Sequence, residues 1–110
     1  MNFGELKELV LEWADDKDLL HYKNAEKQFG KFIEEVFEFK TEFDDKRRFA
    51  SECVDINNLK LEMGDIFVTL IILCEDLEID PVVCLEMAYK KISKRQGCTI
   101  NGTFVKSEDL

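Results

Sequence analysis

Five carboxylates in two short stretches have spacing that suits chemistry: Glu34, Glu35 and Glu38 in one, Glu62 and Asp65 in the other. On a helix, residues three or four apart share a face, so Glu34 or Glu35 pairs with Glu38, and Glu62 with Asp65. Like charges so placed repel, which lowers stability unless solvent or a cation relieves them. A solvated acidic stripe accounts for Glu34 as well as a site does. It accounts less well for the others. Glu35 precedes Val36-Phe37, Glu38 stands between Phe37 and Phe39, and Asp65 lies between Gly64 and an apolar run that begins at Ile66. Acids set into core-facing helix are expensive unless paired or ligated. Two antiparallel helices, each giving such a pair, can gather Glu35, Glu38, Glu62 and Asp65 around hard cations. Oxygen ligands with no His or Cys beside them select Mg2+, or Mn2+ in its place, over zinc. Gly64 leaves room for a backbone or ligand to come close.

The elements that must position these acids are legible from periodicity. Phe3, Leu6, Leu9, Val10 and Trp13 recur at helical spacing and mark a first helix that ends near Asp15–Asp18. A second starts after Asn24, a plausible cap, and passes Phe29, Phe32, Ile33, Val36 and Phe37 to about Phe43. A third begins near Asp55 and is apolar on nearly every side from Ile66 to Cys74. Such a helix belongs inside a core or a subunit contact, and four helices this size rarely enclose one, so an oligomer is expected. A fourth opens at Pro81, follows Val82, Leu85, Ala88, Tyr89 and Ile92, and stops before Gly97. Asn101-Gly102 between short β-favouring runs signals a hairpin. One all-α domain over residues 1–110 is expected, with a helical body to about 96 and the hairpin over about 97–107.

Composition narrows the function. With 24 Asp plus Glu against 15 Lys plus Arg, the net charge is -9, which argues against DNA or RNA as a partner. The four cysteines, Cys53, Cys74, Cys84 and Cys98, form no C-x-x-C pair, and His21 is the one histidine, so a zinc site is not expected. Three of the four fall in apolar helical patterns, where Cys acts as a small core residue. No signal peptide and no bilayer-length apolar run is read, so a reduced, cytoplasmic protein is expected. Trp13 suits packing at a core-facing position or stacking on a base. His21 reads as a loop residue, Tyr89 as core. Lys46-Arg47-Arg48, placed in the connection between the acidic helices, suits phosphate steering or a solvated loop.

Taken in order, Gln28-x-x-Lys31-x-x-Glu34-Glu35-x-x-Glu38 followed by Glu62-x-x-Asp65 resembles the E-E-x-x-E…E-x-x-D signature of MazG-like nucleotide pyrophosphohydrolases. Trp13-Ala14-Asp15-Asp16-Lys17 resembles the W-A-x-x-[RK] segment of the short form found in phages and Firmicutes. Asp80-Pro81-x-x-Cys84-Leu85-x-x-Ala88-Tyr89-x-Lys91-Ile92-x-x-Arg95-x-Gly97 resembles the last helix, and Asn101-Gly102-x-Phe104-Val105-Lys106 the terminal hairpin. The resemblance covers nearly the whole chain. It implies a four-helix bundle that forms homodimers or homotetramers, with sites near the subunit contact. It matches Glu35, Glu38, Glu62 and Asp65 to metal ligands and Glu34 to a glutamate that orients water. Lys31 matches a basic position near the phosphates, and Lys91 and Arg95 match phosphate or base contacts, although many members carry Asn where Arg95 stands. At position 69, Thr69 replaces the Tyr of some eukaryotic relatives, so base preference does not transfer.

The reaction implied is Mg2+-dependent hydrolysis of a nucleoside triphosphate to monophosphate and pyrophosphate, with metal-activated water attacking the α-phosphorus and Glu34 or Glu38 accepting its proton. Two alternatives stand beside it. One is a pyrophosphohydrolase of another pyrophosphate-containing metabolite. The other is a non-catalytic acidic helical module that binds a partner protein, for which the paired spacing on two helices would be unnecessary.

Overall fold

The computed structural model describes residues 1–48 and 56–110, with side chains for 1–45 and 56–110, and divides them into two compact units, Met1–Ile79 and Asp80–Leu110. Cys53 and Asp55, the expected start of the third helix, lie outside the described residues.

In the first unit, α1 spans Phe3–Asp16. Asn2 caps it by accepting from the Glu5 N–H at 2.8 Å, which satisfies one otherwise orphaned backbone donor, and its side-chain amide donates to Glu5 Oε1 at 2.9 Å. The helix closes with Asp18 at φ 61° and Leu19 N–H donating to the Ala14 carbonyl at 2.9 Å, the left-handed stop of a Schellman turn. A single 3-10 turn over Tyr22–Asn24 leads into α2, Ala25–Arg48. The basic run Lys46-Arg47-Arg48 thus continues the helix and is not part of the connection. α3 spans Ile56–Asp76 and lies against both α1 and α2. It ends as α1 does, with Glu78 at φ 59° and Ile79 N–H donating to the Cys74 carbonyl at 2.9 Å.

The core is formed by Ala14 from α1 and Ile71, Ile72 and Cys74 from α3. It is small for so apolar a chain. Trp13 is 50% exposed, Phe37 67% and Leu61 68%. The face of α3 between Ile66 and Leu73 is covered only in part: Phe67 is 48% exposed.

In the second unit, α4 spans Pro81–Ile92 and is capped by Asp80, whose carboxylate accepts from Val82 N–H at 2.8 Å. Pro81 fits the first turn, where an N–H has no partner to lose. None of the residues of α4 is buried. Tyr89 is 64% exposed and Cys84 is exposed, so neither packs as the sequence suggested. An amphipathic stripe specifies what must be covered and leaves open what covers it. β1, Gly97–Ile100, pairs antiparallel with β2, Thr103–Lys106, Gly97 facing Lys106. Asn101 at φ 51° and Gly102 at φ 80° form the two-residue turn that the Asn-Gly pair predicted, with positive φ at both positions. Gly97 has a separate reason. A Cβ there would lie 2.1 Å from the Val105 carbonyl oxygen, so only glycine permits this approach of the two strands. Among the described residues, no helix is long and apolar enough to cross a membrane.

Candidate functional site

α2 and α3 bring three of the expected ligands together. Carboxylate oxygens of Glu35, Glu62 and Asp65 all lie within 4.8 Å of one another. Glu35 comes from the face of α2 turned to α3 and is buried. Glu62 is half-buried and Asp65 exposed, so the cluster runs from the interior to the surface. Glu35 Oε2 and Glu62 Oε2 are sealed from solvent, and no hydrogen-bond donor among the described residues reaches either. Buried anionic oxygens without donors are costly, and a cation bridging them is the simplest relief. The donor set, all oxygen, suits a hard divalent ion of the Mg2+ or Mn2+ kind, which fits these residues by chemistry and leaves the ion's identity open.

Glu38, one turn along α2, joins from the side. A hydrogen bond between its carboxyl and that of Glu35 raises its pKa above the ordinary 4.5, and repulsion from Glu35, some loss of hydration, and repulsion from Glu62 and Glu34 act in the same direction. Crowding of like charges favours the protonated form of a carboxyl in this way. Glu34 is different. It is exposed and engaged by Lys31, whose Nζ donates to Glu34 Oε1 at 3.4 Å and lies 3.3 Å from Glu35 Oε1. Hydrogen bonds to Glu35 and Glu34, with their charges, hold the Lys31 pKa above its ordinary value. One cation therefore already offsets part of the charge at the edge of the cluster.

A cavity of about 260 Å³ adjoins the acids. Glu35, Asp65 and Lys31 border it, and Trp13, Leu19, Val68 and Ile72 supply its apolar walls. Trp13, the chain's single tryptophan, Asp65 and Val68 also line an adjoining groove that extends past Leu6 and Leu9. Trp13 is thus neither packed away nor isolated; it is half-exposed beside the acids.

Lys91 and Arg95 belong to the second unit. There Arg95 is half-buried and, with Gln96, Lys106, Ser107 and Glu108, lines a recess of about 300 Å³. Lys91 is exposed in the last turn of α4. His21 is an exposed loop residue in contact with Asp18 at 2.6 Å, as its surroundings suggested.

Sequence reasoning gave Gln28 a place in the acidic motif but no role, and it passed over Asp76; both are buried. Gln28 is 7% exposed and lines the cavity, its Oε1 sealed and without a hydrogen-bond donor among the described residues. The signal was available, since Gln28 stands two turns before Glu35 on the same face of α2. Asp76 is 2% exposed. Burial pushes its pKa above the ordinary range, the backbone N–H and imidazole of His21 oppose that shift, and Glu75 adds to it. Its position one turn beyond Ile72 placed it on the buried face of α3, a clue that its charge obscured. Comparison with protein families, curated proteins and solved structures gave no match to this chain.

Proposed function

We propose that this chain is a MazG-like nucleoside triphosphate pyrophosphohydrolase, acting as a homodimer or homotetramer in the cytoplasm. One observation carries the proposal: Glu35, Glu62 and Asp65, from two helices, converge within 4.8 Å with buried oxygens that lack donors. Glu35, Glu38, Glu62 and Asp65 are the residues that would hold Mg2+. When bound, the ion supplies neutralisation of the triphosphate and a more acidic water.

The chain's own groups do the rest. Glu38 would accept the proton of the attacking water. Glu34, held by Lys31, orients the water from the exposed side. Lys31 moves from its carboxylate partners to the phosphate oxygens when substrate arrives, as a cation with three donors can. Trp13 offers a face for the base. Lys91 and Arg95, in the second unit, are the cations the resemblance matches to phosphate or base contacts in a homodimeric or homotetrameric assembly. The exposed apolar residues, Leu85 at 71% and Met87 at 67% among them, support that assembly.

The test is product analysis. With Mg2+, a nucleoside triphosphate is expected to give monophosphate and pyrophosphate with no diphosphate intermediate, and Asp65→Asn to abolish it. Diphosphate and single phosphate would contradict the site of attack. No hydrolysis of any nucleoside triphosphate, alongside cleavage of another pyrophosphate-containing metabolite, would move the assignment to that substrate class.

A further inference from the structure

The cavity beside the acids holds one neutral polar group with an unmet hydrogen bond. Gln28 is more than nine-tenths buried, and no donor among the described residues reaches its Oε1. Thr69, which also lines the cavity, already spends its hydroxyl proton on the Ile66 carbonyl at 2.9 Å. Natural proteins rarely leave a buried amide unpaired, because it lost its water on folding and gained nothing in return. An unpaired amide that borders a cavity points to a partner that arrives from outside.

The cavity's shape and chemistry limit that partner. Its volume, about 260 Å³, falls below the range of about 300–1,000 Å³ usual for a whole small-molecule ligand, so it suits one ring of a larger molecule. Trp13, Leu19, Val68 and Ile72 make the walls apolar, which fits a flat ring face. Glu35 and Asp65 at its edge disfavour a phosphate inside it, so the cavity itself takes the uncharged part of the ligand. A carboxamide pairs a donor with an acceptor, and rotation of its last torsion presents either end. The complementary object is a planar heterocycle whose edge also sets a donor beside an acceptor.

We propose that Gln28 is the specificity-determining residue of this site, reading the hydrogen-bonding edge of a nucleobase that enters the cavity against Trp13. The choice of a nucleobase rests on the pyrophosphohydrolase proposal, but base recognition and hydrolysis can fail separately. Hydrolysis is blind to the base in principle, and nucleosides carry no phosphate to hydrolyse.

Trp13 makes the experiment direct, because the chain's single tryptophan lines the cavity. Wild-type protein is titrated with adenosine, guanosine, cytidine and uridine, following tryptophan fluorescence with N-acetyltryptophanamide as the absorbance control and ribose 5-phosphate as the base-free probe. At least one nucleoside is expected to quench saturably, with affinities spread by about tenfold or more across the four, the discrimination of one well-made hydrogen bond. Gln28→Leu is expected to bring that spread within about threefold while retaining saturable quenching, since the apolar walls remain. Should Gln28→Leu not fold by circular dichroism, Gln28→Glu keeps the shape and an acceptor, loses the donor, and is expected to reorder the preference. Ribose 5-phosphate should quench neither protein. Absence of saturable quenching by every nucleoside, or an unchanged order of preference in both variants, overturns the assignment even if triphosphates are hydrolysed. Quenching and reordering without hydrolysis would keep it and remove the hydrolase proposal instead.

Discussion

Glu35 on α2 and Asp65 on α3 hold carboxylate oxygens within 4.8 Å of each other, with Glu62 in the same cluster. One end of this pair is buried and the other is open to solvent. A purely structural ion pair would have put a lysine or arginine at one end. Lys31 instead sits to the side, 3.3 Å from Glu35 and shared with Glu34. The remaining charge is what the proposed Mg2+ would offset.

Charge at single positions can be removed while shape is kept. Glu62→Gln and Glu38→Gln are expected to lower turnover by about a hundredfold or more, as loss of one group that organises transition-state charge does. Helix content by circular dichroism should not change. Glu8→Gln is the control: Glu8 is exposed and only 3.9 Å from Lys7 in a surface pair, an interaction worth little. Its turnover should equal wild type. Equal losses at Glu8 and Glu62 would contradict the site.

The apoprotein should lose stability as pH rises from acid toward neutral. Glu38 and Asp76 have pKa values raised in the folded state above their ordinary 4.5 and 3.8. The folded state therefore holds more protons than the unfolded chain over the window that begins at those values and ends at the raised ones. Stability from these two groups is fully present below the ordinary values and is lost as pH climbs through the raised ones. Thermal melts without divalent ions, from pH 4 to 8, measure it. Asp76→Asn removes one contributor and should flatten the slope, raising the midpoint at pH 7 by about 4–8 °C if it relieves on the order of 1 kcal/mol. A wild-type slope of opposite sign contradicts both assignments.

Gly97→Ala should disorder the hairpin, because the added Cβ meets the Val105 carbonyl at 2.1 Å and the Phe104 ring at 2.9 Å. Backbone atoms cannot yield there without breaking the pairing of Gly97 with Lys106. Hydrogen exchange at the β1 and β2 amides should accelerate, while the amides of α2 and α3 keep their protection. Protected strand amides in the variant would show that the strands can separate at little cost.

Much of this was legible in the sequence because it depends on local periodicity and turn chemistry. Pro81 and Asn101-Gly102 fixed the start of α4 and the turn of the hairpin, where one residue's geometry decides the outcome. The acid pairs were legible because helical spacing puts Glu62 and Asp65 on one face. The convergence of Glu35 with them depended on how α2 and α3 meet, which spacing within one helix does not state. Gln28 and Asp76 were missed for another reason. Polar residue types read as solvent-facing, and only tertiary packing buried them. Tyr89 failed the opposite way: its stripe is apolar, yet its ring is 64% exposed.

That uncovered surface sets the expected mass in solution. With Leu85, Met87, Phe37 and Leu61 each at least 67% exposed, a lone 12.9 kDa chain leaves several large apolar side chains in water. Light scattering after size exclusion should give two or four times that mass. Leu85→Glu, on a helix with no buried residue, should shift the population toward smaller species. A monomer at micromolar concentration in the wild type would contradict the proposed assembly.

The cation site itself is tested most directly by a metal-dependent melt of wild type and Asp65→Asn, at fixed ionic strength, with and without several millimolar Mg2+. An ion that binds the assembled carboxylates and not the unfolded chain stabilises by mass action, about 2.7 kcal/mol at one hundred times its dissociation constant. For a domain of this size that is a rise of about 10 °C or more in the melting midpoint. The wild type is expected to show it and Asp65→Asn to lose most of it. If the two proteins rise by the same amount, Mg2+ is acting on general surface charge, and Glu35, Glu62 and Asp65 do not form a cation site.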